Sequence, residues 1–305
     1  MPGETAATIG RRLRTAGVID NANSFRLLAR LTGAERQLEA GEYEFGPGTS
    51  VLDALSRIQA GLTSARNVTV PEGLRVEQVA ALLDQRGVVP AKEFLAALKA
   101  YAPSSPETID LLASRPTNQS MEGFLFPATY SFSRRITASE AVEMMVKALS
   151  DRFTPQMRDD ARRQSLTPFQ VLTLASIVER EAIVPEDRPL IASVYLNRLK
   201  QDLSLQADPT VQYAVAPTAG ATAASVLWKR DLTADDLKTD SPYNTYIKKG
   251  LPPGPIASPG LDSIRAVLHP ADTTYLYFVA RPNGSHAFST TFAEHEQNVQ
   301  RYARP

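Results

Sequence analysis

The first third of the chain repeats one pattern of apolar and polar positions. In residues 2–31, and again in residues 71–98, apolar side chains recur at spacings of three and four, and a second apolar helix follows. Such spacing puts the apolar side chains on one face of a helix. Gly17 and Gly87 follow the first helix of each copy, where a left-handed residue commonly ends a helix. The pattern predicts an internal duplication of helix pairs.

The segments between and after the two copies carry weaker signals. Residues 41–45 alternate between apolar and polar, which predicts a strand, and residues 67–70 predict a second one. Residues 51–58 have helical spacing. Residues 104–120 are polar and rich in proline, which predicts a linker or surface loop. Residues 121–132 then predict two short aromatic strands around a proline turn.

The remaining sequence predicts a mostly helical region that closes with a hairpin and a last helix. The predicted helices cover residues 138–153, 155–165, 168–182, 188–200 and 291–302. A strongly β-forming run over residues 274–280 precedes the turn Pro282-Asn283-Gly284, and residues 286–289 are its predicted partner strand. The whole pattern predicts the α+β class.

Composition excludes several classes of function without choosing one. The 305 residues are 43 % apolar and 22 % charged, as in ordinary globular proteins. Lys plus Arg and Asp plus Glu both number 33, which gives no basic face for nucleic acid. The absence of cysteine excludes disulfides and thiol nucleophiles. The three histidines lack metal-site spacing, no signal peptide is recognisable, and no apolar stretch approaches the roughly 20 residues that span a bilayer.

Two glutamates near the end of a predicted helix are candidates for acid/base chemistry. Glu179 falls on one helix face with Ser176 and small apolar residues. Burial there favours the protonated carboxyl group and raises its pKa, as a general acid near neutral pH requires. Glu181 is the rival, because it shares the face of Ile177. Spacing alone does not choose between them, and it also permits a salt-bridged structural glutamate.

Two further segments carry candidate ligand-binding residues. Gln206 has no evident structural duty and suits hydrogen bonding to a sugar or an amide. Asp208 precedes Pro209, which predicts that Asp208 caps a helix beginning there. Tyr243 and Asn244 lie in a Pro/Gly-rich stretch that suits the wall of a cleft, where aromatic faces stack on sugar rings. A purely structural loop is the alternative for that stretch.

Seven motifs, in order, resemble a single family over nearly the whole chain. They occupy residues 71–73, 122–130, 174–181, 194–199, 205–213, 241–246 and 284–289. With these motifs the chain is similar to the MltG (YceG-like) endolytic murein transglycosylases. Each motif alone is weak, whereas seven in the same order are specific.

The resemblance implies an architecture and a location. Residues 1–112 would form a LysM-like N-terminal region, and residues 113–305 a lysozyme-like, mostly helical catalytic domain with added β-hairpins. Family members are anchored by one N-terminal helix in the inner membrane, a helix absent from this chain, with the catalytic part in the periplasm. The implied substrate is the glycan strand of peptidoglycan, and a peptidoglycan synthase is a candidate partner.

The resemblance also implies a mechanism, with the family's catalytic glutamate carried over to Glu179. The protonated Glu179 would give its proton to the glycosidic oxygen between MurNAc and GlcNAc. It would then take the proton of the C6 hydroxyl, which closes on C1 and leaves a 1,6-anhydroMurNAc end. This reaction calls for no cofactor and no metal. The expected substrate contacts are Ser176, Gln206, Asp208, Tyr243 and Asn244.

Two alternatives stay open on the sequence. A hydrolytic muramidase would use water, with Asp208 as the second carboxylate, and would leave reducing ends. A non-catalytic scaffold would bind glycan strands without cleaving them.

Overall fold

The computed structural model describes residues 4–46, 48–61, 65–216 and 227–302. By compactness the chain divides into two units. The first comprises Met1–Val68 and Tyr130–Ile136, and the second comprises Thr69–Thr129 and Thr137–Pro305. The predicted boundary between functional regions after residue 112 is a different division and stays a prediction.

Helices around a small apolar core dominate the first unit. Its helices are α1 (Ala6–Thr15), α2 (Ala22–Leu31) and α3 (Val51–Gln59), and β1 (Arg66–Thr69) pairs with β2 (Thr129–Phe132) in a two-stranded sheet. Phe25 and Leu55 are buried at the centre of the core. Side-chain oxygens of Thr5, Asn21 and Ser50 accept hydrogen bonds from the first turns of the three helices, which explains where each begins.

The prediction of a strand over residues 41–45 is wrong, because these residues form no strand in the structure. Tyr43 and Phe45 stack on each other and pack against the core of the first unit. The Tyr43 hydroxyl donates to the backbone carbonyls of Glu39 and Ile58. The alternation therefore reflects two rings that face a core, without a neighbouring strand to pair with.

The second unit holds the remaining elements. Its helices are α4 (Val76–Gln85), α5 (Ala91–Lys99), α6 (Pro106–Leu112), α7 (Ala138–Arg152), α8 (Pro155–Arg163), α9 (Pro168–Glu181), α10 (Arg188–Lys200), α11 (Asp208–Val215), α12 (Leu261–Leu268) and α13 (Phe292–Tyr302). The strands β3 (Tyr277–Ala280) and β4 (His286–Ser289) form the predicted antiparallel hairpin, in which Ala280 lies opposite His286. The α+β class is confirmed.

The two predicted helix pairs are present as α1 with α2 and α4 with α5. Each first helix ends in the same way, since Gly17 and Gly87 adopt φ of 69° and 66°. The backbone N–H after each glycine then donates to a carbonyl five residues back. Equivalent backbone geometry accompanies the sequence repeat.

Two predictions for residues 104–132 need correction. The predicted linker contains α6, which begins at Pro106 after the capping Ser105 and buries Leu111. Of the two predicted aromatic strands only the second exists, as β2. The preceding segment turns sharply at Gly123, whose φ is 83° and whose backbone lies against Pro255.

Helix α9 is the most buried helix of the second unit. Thr167 caps it in a reciprocal arrangement with Gln170, and Pro168 occupies its first turn. Every residue from Val171 to Val178 is buried. Helices α10 and α12 both pack against it. Over the described residues, no helix combines the length and the apolar character needed to cross a membrane.

We predict that Gly123→Ala destabilises the protein more than Gly250→Ala. Both residues have positive φ, of 83° and 81°, so each substitution costs about 1–2 kcal/mol in backbone strain. A Cβ at Gly123 would also lie 2.4 Å from Cβ of Pro255, whereas one at Gly250 meets nothing within 4 Å. This clash adds about 1–3 kcal/mol for Gly123→Ala alone. Chemical denaturation measures both, and equal losses would contradict the close approach.

Candidate active site

The last three residues of α9, Glu179, Arg180 and Glu181, have three different surroundings. Successive residues of a helix project about 100° apart. Because the preceding turns of α9 are buried, these three charged side chains leave the core in fixed directions. Each must therefore find its own polar or aromatic partners.

Glu181 lies at a cavity and is held by a tyrosine. The Tyr195 hydroxyl donates a 2.8 Å hydrogen bond to Oε1 of Glu181. Burial raises the pKa of Glu181 from its ordinary 4.5 to about 7, and the negative charge of Asp208 adds to the rise. The hydrogen bond from Tyr195 and the charge of Arg180 act in the opposite direction. A carboxyl group with this pKa carries its proton in a large fraction of molecules near neutral pH.

The cavity at Glu181 has a volume of about 430 Å³. Its polar lining consists of Glu181, Arg198, Gln206, Asp208, His286 and His295. Its aromatic lining consists of Tyr195, Tyr246, Tyr277, Phe278 and Phe292. The ring of Phe292 is 57 % exposed, so the aromatic wall continues to the surface. A concave site lined by aromatic side chains and a few polar groups is a common form of ligand-binding site.

Two of the predicted contact residues, Gln206 and Asp208, line this cavity. Gln206 adopts φ of 52°, which is unusual for a residue other than glycine, and its backbone N–H donates to the carbonyl of Thr245. Arg198 donates to its side-chain oxygen at 2.5 Å. Asp208 accepts a 2.6 Å hydrogen bond from the Tyr246 hydroxyl. It lies in the first turn of α11, whose cap is the preceding residue, so its predicted capping role is wrong.

Glu179 is directed to a different place from Glu181. Its Oε2 accepts hydrogen bonds from the backbone N–H of Gly260 at 3.0 Å and from the Ser263 hydroxyl at 2.7 Å. Its Oε1 lies 3.8 Å from Nη2 of Arg188, and the side chain is 8 % exposed. Gly260 precedes α12, where the helix dipole favours a negative group. Glu179 is thus enclosed in a polar network and not in bulk solvent.

A second carboxyl group belongs to the network around Glu179. The Glu72 carboxyl lies so close to the Gly260 backbone that a Cβ there would be 2.1 Å from its Oε1. Burial raises the pKa of Glu72, and the charge of Glu179 raises it further, while Arg188 lowers it. This network joins the 71–73 turn, α9 and the start of α12.

Ser176 and Asn244, both predicted as sugar contacts, are buried and form hydrogen bonds inside the protein. The buried Ser176 hydroxyl donates to the Thr173 carbonyl and accepts from the backbone N–H of Ile256. The buried Asn244 amide donates to the carbonyls of Leu237 and Thr239. Both side chains order backbone segments around the site.

Tyr243 is half-buried and packs against another tyrosine. Its ring centroid lies 4.7 Å from that of Tyr213, and burial raises the pKa of Tyr243 to about 12. Tyr213 in turn lies under the guanidinium of Arg75. These contacts favour a structural role for Tyr243 in its loop.

Arg180 and Arg75 both stack on Trp228, an arrangement that the sequence analysis did not anticipate. Each guanidinium carbon lies 4.0 Å from the centroid of the indole ring. The indole N–H donates to Gln78. Nearby, burial raises the pKa of Glu122 to about 8. The sequence motifs include Glu122 and Arg180, but neither motif indicates this aromatic partner.

Sequence reasoning also missed several residues that line the cavity. Tyr195, Tyr246 and His286 lie in quoted motifs, but residue type and spacing gave them no role. Tyr277, Phe292 and His295 lie outside the motifs, and their rings pack together at the end of the chain. Among the described residues, no cluster of three or more His, Asp or Glu side chains is arranged to hold a metal ion.

Comparison with known proteins identifies the family. The model described as the YceG-like family matches residues 1–301. This chain belongs to the YceG-like family. An endolytic murein transglycosylase of Bacillus subtilis (strain 168) is 33 % identical, in an alignment that covers 98 % of this chain and 82 % of that protein. The endolytic murein transglycosylase of Streptococcus pneumoniae D39 is 32 % identical, and this chain spans 56 % of its length.

A solved structure shares the fold of this YceG-like chain. The crystal structure of a YceG-like protein from Listeria monocytogenes superposes with a TM-score of 0.63 at 31 % sequence identity. The match covers 97 % of this chain and 95 % of that one.

We predict opposite stability effects for Glu181→Gln and Glu179→Gln at about pH 8. The raised pKa of Glu181 gives stability that is complete below 4.5 and is lost as the pH rises through about 7. A glutamine is neutral throughout, so Glu181→Gln should be more stable than wild type at about pH 8, with the gain absent at about pH 4. Glu179→Gln weakens two hydrogen bonds to a charged group and should lose about 1–3 kcal/mol.

Thermal unfolding of both variants across this pH range measures the contrast. Glu186→Gln, at an exposed position in the following turn, is the control and should leave stability unchanged. A loss of stability in Glu181→Gln at the alkaline end would contradict a buried, proton-binding Glu181.

Proposed function

We infer that this chain is an endolytic murein transglycosylase. It cleaves the β-1,4 bond between MurNAc and GlcNAc in peptidoglycan strands and leaves 1,6-anhydroMurNAc ends. Family membership and the names of its relatives support this activity. The single structural observation that carries it is a partly buried glutamate of raised pKa, Glu181, at a cavity lined by polar and aromatic side chains.

Within this activity we assign the catalytic role to Glu181 and not to Glu179, the residue that the family resemblance implies. Glu181 shares its cavity with Gln206 and Asp208, and its pKa of about 7 suits a group that gives up and recovers a proton near neutral pH. Glu179 instead accepts two hydrogen bonds and faces Arg188. These contacts suit a residue that fixes the end of α9 relative to α12.

In the proposed reaction Glu181 acts first as an acid. Its proton passes to the glycosidic oxygen as the bond between that oxygen and C1 of MurNAc breaks. The C6 hydroxyl of the same sugar then bonds to C1 and loses its proton, which regenerates the acid. Because the attacking hydroxyl belongs to the substrate, its effective concentration is high and no second carboxylate is needed as a nucleophile. Tyr195 holds the Glu181 carboxyl in place throughout.

The walls of the cavity suit binding of an amino-sugar strand. Gln206 and Asp208 are exposed polar side chains of the lining, which can pair with hydroxyl and acetamido groups. Tyr277 and Phe292 also line the cavity, and aromatic faces pack well against the C–H faces of sugar rings. Of the residues predicted as substrate contacts, we keep Gln206 and Asp208.

The finer features implied by the family remain proposals. We propose that residues 1–112 act as a LysM-like region and residues 113–305 as a lysozyme-like catalytic domain. The repeated helix pair supports the first assignment, and the cavity beside the buried helix α9 supports the second. We also propose that the protein works in the periplasm at the inner membrane. There it would cleave nascent strands beside a peptidoglycan synthase and so end their growth.

A hydrolytic muramidase is the second candidate, because Asp208 lines the same cavity as Glu181. Two carboxyl groups at one cleft are the usual equipment of a glycosidase that uses water. The hydrogen bond from Tyr246 to Asp208 holds that carboxyl group at the cavity wall. The two activities differ in their products, since water gives reducing ends and the C6 hydroxyl gives anhydro ends.

We predict that Glu181→Gln abolishes strand cleavage while Glu179→Gln retains it. Loss of a general acid lowers kcat by about 10²–10⁴-fold. Glu179→Gln should stay within about tenfold of wild type, because it changes the support of α9 and not the acid. Digestion of uncross-linked glycan strands, followed by mass spectrometry of the ends, measures rate and product together.

The outcomes separate the three candidate functions. Anhydro ends support the transglycosylase, reducing ends support the muramidase, and strand binding that survives Glu181→Gln with no turnover in wild type supports a scaffold. An inactive Glu179→Gln beside an active Glu181→Gln would return the acid to Glu179.

We predict that cleavage declines as the pH rises through about 7. The acid must carry its proton, and the pKa of Glu181 is about 7. The value of kcat/KM should therefore fall about tenfold for each pH unit above the pKa of Glu181. Initial rates on one strand preparation across the pH range measure this, and a rate that keeps rising above about pH 8 would contradict Glu181 as the acid.

A further inference from the structure

His286 and Asp187 form a buried pair beside the cavity of Glu181. Nδ1 of His286 lies 2.8 Å from Oδ2 of Asp187, and the side chains are 4 % and 9 % exposed. The same oxygen accepts the backbone N–H of His286 at 2.7 Å. Asp187 immediately precedes α10, so the helix dipole favours a negative charge there. The pair therefore fixes both the position and the rotation of the imidazole ring.

The contact with Asp187 determines which ring nitrogen is available. A carboxylate only accepts hydrogen bonds, so the neutral ring carries its hydrogen on Nδ1 and has a lone pair on Nε2. Among the described residues, none forms a hydrogen bond with Nε2 of His286. His286 lines the cavity and Asp187 does not, so the ring reaches the cavity by the edge away from Asp187.

We propose that His286 is a second catalytic residue, which accepts the C6 hydroxyl proton of MurNAc at Nε2 while Asp187 positions the ring. This inference rests on the proposed transglycosylase reaction. It differs from that reaction in the group that accepts the proton of the C6 hydroxyl. Glu181 remains the acid. An imidazole held by a buried carboxylate on Nδ1 is a well-suited base at Nε2.

Every proton in the proposed reaction is accounted for, and water is the only additional proton carrier. The proton of Glu181 goes to the glycosidic oxygen as the bond from that oxygen to C1 breaks. The bond from O6 to C1 forms, and the O6 proton goes to Nε2 of His286. The turnover leaves a Glu181 carboxylate and a His286 imidazolium, and exchange with water returns one proton from His286 to Glu181.

Other titratable or charged groups share the cavity and must be considered in any pH profile. They are Glu181 on α9, Tyr195 and Arg198 on α10, Asp208 on α11, Tyr246 in the following loop, Tyr277 on β3 and His295 on α13. Phe278 meets His286 edge-on, with ring centroids 5.3 Å apart. Asp187 is the group in direct hydrogen-bond contact with the ring.

His286→Asn separates the structural pairing from the proposed base. The Asn amide can still donate to Asp187 from near the position of Nδ1, but it has no group at the position of Nε2. We expect a fall in kcat of about 10²–10³-fold, with KM and the unfolding temperature close to wild type. Asp187→Asn should also lower kcat, because an amide can donate to Nδ1 and leave the hydrogen of the neutral ring on Nε2, which then cannot accept a proton.

Chemical rescue gives a reading that a structural role would not change. Wild-type kcat/KM should decline on the alkaline side as Glu181 loses its proton. His286→Asn should keep this alkaline decline, because Glu181 remains the acid. Added imidazole should restore part of the activity of His286→Ala, because it refills the space of the base.

Several outcomes would overturn the proposal. They are anhydro ends formed by His286→Asn at the wild-type rate, or a His286→Ala variant whose activity added imidazole does not restore. If His286→Asn unfolds, the imidazole experiment decides, and its failure overturns the proposal. A wild-type protein that forms no anhydro ends contradicts the proposed function as well, so the two failures are distinguishable.

Discussion

The buried helix α9 is the constraint on which the rest of the site depends. Because Val171 to Val178 are enclosed, the helix cannot rotate about its axis without exposing apolar side chains to water. The directions of the last three side chains are therefore fixed by the core and not by their own chemistry. Glu179 meets the start of α12, Arg180 stacks on Trp228, and Glu181 reaches Tyr195 and the cavity. The polar partners of these residues lock the same orientation from outside.

The surroundings turn two like carboxyl groups on one helix into groups of different chemistry. Side chains that are two positions apart on a helix project about 200° apart around its axis. Glu179 and Glu181 therefore share almost no neighbours. Glu179 receives two hydrogen-bond donors and faces a guanidinium, the surroundings of a carboxylate. Glu181 is partly buried and has one hydroxyl donor. Its desolvation and the negative charge of Asp208 favour its protonated form. The hydrogen-bond network of Glu179 thus holds the end of α9, while the nearby Glu181 carboxyl group can exchange a proton.

The sequence predicted most helices well because their signals are local. The bounds of α10 agree with the prediction, and α9 begins where Thr167 and Pro168 indicate. The same local signals, Ser105 before Pro106, were present for α6, but the polar and Pro-rich composition outweighed them. The strand expected at residues 41–45 failed for the opposite reason. Alternation records which side chains face a core, and Tyr43 and Phe45 do so without a strand beside them.

The roles of the site residues depended on partners that local patterns do not contain. Spacing along α9 does not distinguish Glu179 from Glu181, because the contacts that make their surroundings different come from Tyr195, 14 residues from Glu181, and from Ser263, 84 residues from Glu179. Ser176 illustrates the same limit. Its hydroxyl, like the Asn244 amide, forms hydrogen bonds with backbone groups and orders the segments around the site. A motif marks residues that a site requires, but only their tertiary contacts separate those that hold the cavity from those that face into it. By that criterion Glu181 faces the cavity and Glu179 holds the helix that carries it.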